Sequence, residues 1–199
     1  MDASKSPCVT RRVPGLTLLM AGGAVVVALA PRWASWLIYD RSAILSGQLW
    51  RMWTGHWVHF STNHLVCDVT ALGLAGWMVE ARGGPRFGWF CVLAPWVISA
   101  AALVFEPRMN LCGGLSGLAT AMMILAALCG LSDAPPWRWV CLAALPGMAG
   151  KILFEAATGH GVFVTVNGVP VVVSITGHVA GAATALAFWW FCGKMRSLA

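Results

Sequence analysis

The sequence predicts an all-α membrane protein, a six-transmembrane-helix bundle with an interfacial first loop. Three observations carry this. Of 199 residues, 59% are hydrophobic and only 10% are charged, where a soluble domain carries roughly 25% charge. Apolar runs follow one another along the chain, separated by short segments rich in Pro, Gly and charge. Trp33, Trp36, Trp50, Trp53 and Trp57 crowd the connection after the first run, a density that suits the headgroup level of a bilayer.

Residues 1–13 are polar, with Lys5, Arg11 and Arg12, and read as a cytoplasmic tail. The first span is 15–30, bracketed by Pro14 and Pro31 and short of the roughly 20 residues that a span needs. Pro31-Arg32-Trp33 follows it in place of a small-residue cleavage motif, so it is not read as a secretory signal. Loop 31–61 mixes its tryptophans with Asp40, Arg41 and Arg51 and lies half in the membrane surface. The second span, 63–78, ends at the Gly-Pro turn of 80–86. The third, 87–105, is closed by Glu106-Pro107-Arg108. The fourth, 116–131, stops before Asp133 and Pro135-Pro136. The fifth, 137–157, is softened by Pro146 and Gly147, and the sixth is 171–192. The membrane domain thus covers 14–193, and 194–199 is a second cytoplasmic tail. No internal repeat or separate soluble domain is visible.

Six spans put both termini on one side. That side carries Lys5, Arg11, Arg12, Arg82, Arg86, Arg138, Lys194 and Arg196, against Arg32, Arg41, Arg51 and Arg108 opposite. The bias makes the termini cytoplasmic. It also brings the starts of spans two, four and six, with His64, Ser116 and His178, to one depth near the outer side. The net charge of +6 is thereby assigned to orientation. Its basic residues are dispersed, which excludes a nucleic-acid partner. Seven cysteines, mostly inside apolar runs and without CxxC spacing, read as small buried hydrophobes.

Ser116 lies in Cys112-Gly113-Gly114-Leu115-Ser116-Gly117-Leu118, where a polar loop becomes an apolar run. A serine hydroxyl needs an adjacent base to act as a nucleophile. His178, in Gly177-His178-Val179-Ala180-Gly181, opens the last apolar run and is the matching base. Gly113-xxx-Gly117 and Gly177-xxx-Gly181 are also close-packing patterns. The packing and chemical readings support each other: His178, Gly181, Ala182 and Ala185 share one helix face, as Ser116, Ala119 and Thr120 do. If those faces pack, hydroxyl and imidazole meet.

His64 and Asp68, four apart, share a face of span two. Attack on a carbonyl requires donors for the oxyanion. His64 and the Ser116 amide are candidates, with Asp68, Gly114, Leu115 and Gly117 as supporting positions. His56, His59, His64 and Asp68 also raise zinc. However, His56 and His59 fall in the interfacial loop and no HExxH is present, so neither metal nor cofactor is predicted. Lys151 and Glu155 are spaced to pair and to neutralise each other, with substrate recognition as the secondary reading. Arg51 is read as holding the loop together.

Trp50, Arg51 and Thr54, the His59-xxxx-His64 pair, Gly114-x-Ser116-Gly117 and His178-xx-Gly181 together resemble rhomboid intramembrane serine proteases, over roughly residues 50–190. Gly113-Gly114-Leu115-Ser116-Gly117-Leu118 and Lys151-xxx-Glu155 are most similar to the rhombosortase subgroup. The resemblance implies a rhomboid-like bundle in a bacterial inner membrane, with a Ser116–His178 dyad in a water-filled cavity open to the periplasmic side. It implies protein substrates anchored in the same bilayer by a C-terminal Gly-Gly, a membrane helix and a basic end. It also implies an acyl-enzyme that passes to water or, as in a sortase, to an amine. One position departs from the family pattern, which has asparagine where Asp68 stands. Asp68 is expected either to hold a proton or to turn and orient His64 or His178. The alternative is a catalytically inactive rhomboid-like protein that binds membrane helices without cutting them.

Overall fold

The computed structural model describes residues 13–82, 86–166 and 169–196, with 163–166, 169–172 and 193–196 by backbone alone. The expected tails, apart from Val13 and 194–196, and the Gly83-Gly84-Pro85 turn lie outside the described residues. Six helices of fifteen residues or more occur among them: α1 (Gly15–Leu29), α2 (Thr62–Glu80), α3 (Arg86–Phe105), α4 (Ser116–Gly130), α5 (Trp137–Thr158) and α6 (Ile175–Arg196). By length and apolarity three qualify as membrane-crossing, namely α3, α5 and the Ile175–Cys192 part of α6. α1 reaches that standard only together with Pro31–Leu37, from which a 99° bend divides it. α4 is apolar but shorter.

The first five helices begin and end within two residues of the expected spans. The sixth does not. The span expected from 171 begins at Ile175, because Val171 and Val172 belong to a hairpin of β3 (His160–Val166) and β4 (Val169–Val172), paired antiparallel. The Val-rich run around Asn167-Gly168 carries a hairpin signal, but a short apolar run does not distinguish strand from helix by periodicity. Gly159, at φ +74°, ends α5 in the left-handed conformation that glycine adopts freely.

α4 is the central element. Twelve of its fifteen residues are buried, as expected of a helix apolar all round, and it packs against α6, α2 and α5. α5 is peripheral: only Cys141, Met148 and Glu155 are buried along its 22 residues, while Trp137, Val140, Leu153 and Phe154 face outward. The first loop folds into short helices at Ala34–Leu37, Arg41–Leu45 and Arg51–Thr54. It is tied to the segment before α4 by the antiparallel pairing of Tyr39–Asp40 with Leu111–Cys112.

Charges at helix ends close backbone groups that the helices leave open. α1 has no side-chain cap of its own. The Glu80 carboxylate at the end of α2 accepts from the Leu16 and Thr17 amides, each at 2.9 Å, and from the Thr17 hydroxyl at 2.8 Å. Glu106, just after α3, accepts from the Thr176 amide at the start of α6 at 3.0 Å. Glu80→Ala therefore costs about 1–2 kcal/mol, the usual penalty for a lost cap. Thermal unfolding in detergent should show a lowered midpoint, and an unchanged midpoint would dismiss the capping role.

Candidate active site

Ser116 is the first residue of α4, preceded by an irregular segment that needs its glycines. Gly114 sits at φ +118°, and a Cβ there would lie 2.5 Å from His64 Nε2 and 3.1 Å from Asp68 Oδ2. Only glycine meets both demands. Gly113 was expected to pack helix against helix with Gly117. It instead lies before α4, and its absent side chain makes room for the Val58 carbonyl of the first loop.

Small residues bring α4 and α6 together. A Cβ on Gly117 would lie 3.1 Å from the Gly177 carbonyl oxygen, and one on Gly181 would run into the Gly117 carbonyl oxygen. At this crossing His178 Nε2 lies 3.1 Å from Ser116 Oγ. His178 is 1% exposed. Its other nitrogen, Nδ1, lies 2.8 Å from Glu155 Oε2, close but without the alignment of a hydrogen bond. Lys151 Nζ donates to the same Oε2 at 2.8 Å. The Lys151–Glu155 pair thus forms, but the expectation of mutual neutralisation is incomplete, because the carboxylate also meets the imidazole.

Asp68 faces two other histidines. Its Oδ2 lies 3.2 Å from both His59 Nε2 and His64 Nε2, and the two rings meet edge to face at 4.8 Å. The Leu115 amide donates to His59 Nε2 at 3.4 Å. His59, part of the first loop, therefore reaches the site. His59, His64 and Asp68 present three ligand atoms within 4.8 Å of one another, a number that suits an open metal site, although no metal was expected from the sequence. His64 Nδ1 is buried without a hydrogen-bond partner.

His56 has a place that sequence reasoning missed. Its Nδ1 lies 3.3 Å from the Gly114 carbonyl, and its Nε2 lies 3.1 Å from both the Pro95 carbonyl and Ser99 Oγ. It bridges α3 to the segment that carries Ser116. Burial pushes its pKa below the ordinary histidine value. No sequence signal separates it from the other histidines of the Trp-rich loop. Arg51 donates to Gln48 Oε1 and to the Ser35 and Ile38 carbonyls at 2.7–3.0 Å, joining the short helices of that loop.

A cavity of about 590 Å³ opens onto these groups, lined by Ser116, His178, Asp68, Lys151, Phe60 and Met148 among others. A hydroxyl within hydrogen-bond reach of a buried imidazole, at the start of a helix and beside further donors, can perform nucleophilic chemistry on a carbonyl.

A family model described as Rhomboid domain matches residues 46–195. No curated protein matches the chain.

Proposed function

The chain belongs to the rhomboid family, of intramembrane serine proteases and their inactive relatives, and from that premise we propose that it is an active intramembrane serine endopeptidase. The observation that carries this reading is the 3.1 Å separation of Ser116 Oγ and His178 Nε2 beside a cavity of about 590 Å³.

In the proposed reaction His178 Nε2 takes the hydroxyl proton as Ser116 Oγ bonds to the scissile carbonyl carbon. The carbonyl becomes an oxyanion, stabilised by the Ser116 amide at the positive end of α4 and by His64. Asp68 holds His64 in place, the orienting role of the two expected for it. When the C–N bond breaks, His178 returns the proton to the leaving amine and an ester on Ser116 remains. Water or an amine then attacks the ester, again losing its proton to His178.

Six spans with cytoplasmic termini remain the arrangement we propose, in a bacterial inner membrane and with the site facing the periplasm. At 15 residues α4 extends roughly 22 Å, less than the roughly 30 Å hydrocarbon thickness. A central helix rising from the cytoplasmic surface would therefore end, with Ser116, below the outer surface. The proposed substrates are exported proteins with a C-terminal Gly-Gly, membrane-helix and basic tail. What supports this is the likeness of 113–118 and of Lys151-xxx-Glu155 to rhombosortases. Glycines also suit the chemistry, since they unwind a substrate helix cheaply and crowd the serine least.

The test is a reporter with such a tail, co-reconstituted with the protein in liposomes. Cleavage next to the glycine pair is expected, and the mass of the new C-terminus separates hydrolysis from transfer to an amine. Binding of the tail without any cleavage would replace this reading with the inactive binder.

A further inference from the structure

α5 buries one narrow stripe, Cys141, Met148 and Glu155, recurring every seven residues. The first two fill space. The third is a carboxylate, 1% exposed, at a position where an ionisable group is costly. Pairing with Lys151 accounts for only part of its surroundings. Glu155 Oε2 takes the Lys151 ammonium at 2.8 Å, and Oε1 accepts from the Val162 amide at the start of the hairpin at 3.3 Å. The carboxylate is thus pinned from its own helix and from β3. In that pinned position Oε2 lies 2.8 Å from His178 Nδ1, with both side chains 2% exposed. The far nitrogen of the same ring lies 3.1 Å from Ser116 Oγ.

We propose that Glu155 is a positioning residue for His178, completing a Ser116–His178–Glu155 array in place of a bare dyad. This rests on the proposed protease activity and extends it. Glu155 accepts a hydrogen bond from Nδ1–H, which leaves Nε2 as the bare lone pair facing Ser116. A ring in the opposite tautomer could not accept the serine proton. As the imidazolium forms, its positive charge develops against a carboxylate already fixed in place, so little reorganisation accompanies proton transfer. The contact is close but not yet aligned, and such hydrogen bonds often tighten only once substrate is bound. Lys151 steadies the carboxylate without touching the ring.

Two readouts in liposomes test this with wild type, Glu155→Gln and Lys151→Met. The first is turnover of the tailed reporter. The second is the nitrogen spectrum of protein carrying ¹⁵N-histidine, with His178 identified by the signals lost in His178→Asn. Wild-type His178 is expected as the neutral tautomer with its proton on Nδ1. Glu155→Gln should lose that preference and lower kcat by roughly 100-fold or more, with KM changed by less than about threefold, the pattern of an interaction made chiefly in the transition state. Lys151→Met should keep the Nδ1–H tautomer. Glu155→Gln with a wild-type tautomer and kcat within about threefold would overturn the proposal. So would equal losses of turnover in the two variants with the tautomer unchanged, the mark of an ion pair that only braces α5. Should Glu155→Gln not fold, wild type still decides: a proton resting on Nε2 would overturn the proposal. If wild type neither cleaves the reporter nor reacts with a fluorophosphonate, the protease reading fails, and the His178 spectrum still reports on the Glu155 contact separately.

Discussion

Alanine at Ser116 is expected to abolish the proposed cleavage: turnover of the tailed reporter should fall by at least about 10⁴-fold, and His178→Asn should fall as far. The reasoning is that proton transfer from Oγ to Nε2, 3.1 Å apart, and attack by the same oxygen form one event, so either loss removes all of it. The double variant should therefore be no worse than either single variant. The stability cost of Ser116→Ala is about 1–3 kcal/mol, because it removes one hydrogen bond and leaves the buried Nε2 unpartnered. Cleavage by wild type and both variants in parallel liposomes, with thermal unfolding as the control, makes the measurement. Retained cleavage in Ser116→Ala would move the nucleophile elsewhere, and additive losses in the double variant would show that the two groups do not act as a unit.

Gly181→Ala is expected to damage fold and chemistry together. A Cβ at 181 runs into the Gly117 carbonyl oxygen, and that oxygen belongs to the helix whose first residue is Ser116. Neither backbone can give locally, so α4 and α6 must separate or rotate. Overpacking of this kind costs about 1–3 kcal/mol. His178 lies one turn before Gly181 on α6, so the same shift draws Nε2 away from Oγ. Misplacement by about 1 Å lowers turnover roughly 100-fold. Gly73→Ala is the control, because nothing lies within 4 Å of a Cβ at that position of α2. Unfolding midpoints and reporter turnover should both drop in Gly181→Ala and remain near wild type in Gly73→Ala. If Gly181→Ala kept full activity, the close crossing would not be what aligns the pair.

Much of this protein was legible in one dimension because the relevant signals are local. Helix order and the bounds of α1 to α5 follow from apolar runs and from the Pro, Gly and charged residues between them. A hydroxyl at the start of an apolar run and a histidine among small residues marked Ser116 and His178. Their spacing on glycine-lined faces pointed to the crossing at which they meet. Local signals failed where one pattern served two structures. The valines before Ser174 suit a strand as well as a span, and the strand forms because residues 160–166 pair with 169–172. Gly113 and Gly117 are spaced for a helix, but the helix starts between them.

By itself the sequence determined the membrane class, the family and the chemical types available, since composition, periodicity and motif spacing are properties of single segments. Only the tertiary structure decided which of those groups share a site. Lys151 is one helical turn from Glu155 and was found by counting, whereas the contact of Glu155 with His178 depends on how α5 is set against α6. His59 reaches Asp68, and His56 reaches the Gly114 carbonyl, through the path of the first loop back over the bundle. Asp68, where the family pattern has asparagine, faces His59 as well as His64, and only the second of those contacts follows from helical spacing. Contacts between distant segments depend on the angles and offsets of packed helices, which arise from the whole set of interlocking side chains and are not carried by any one of them.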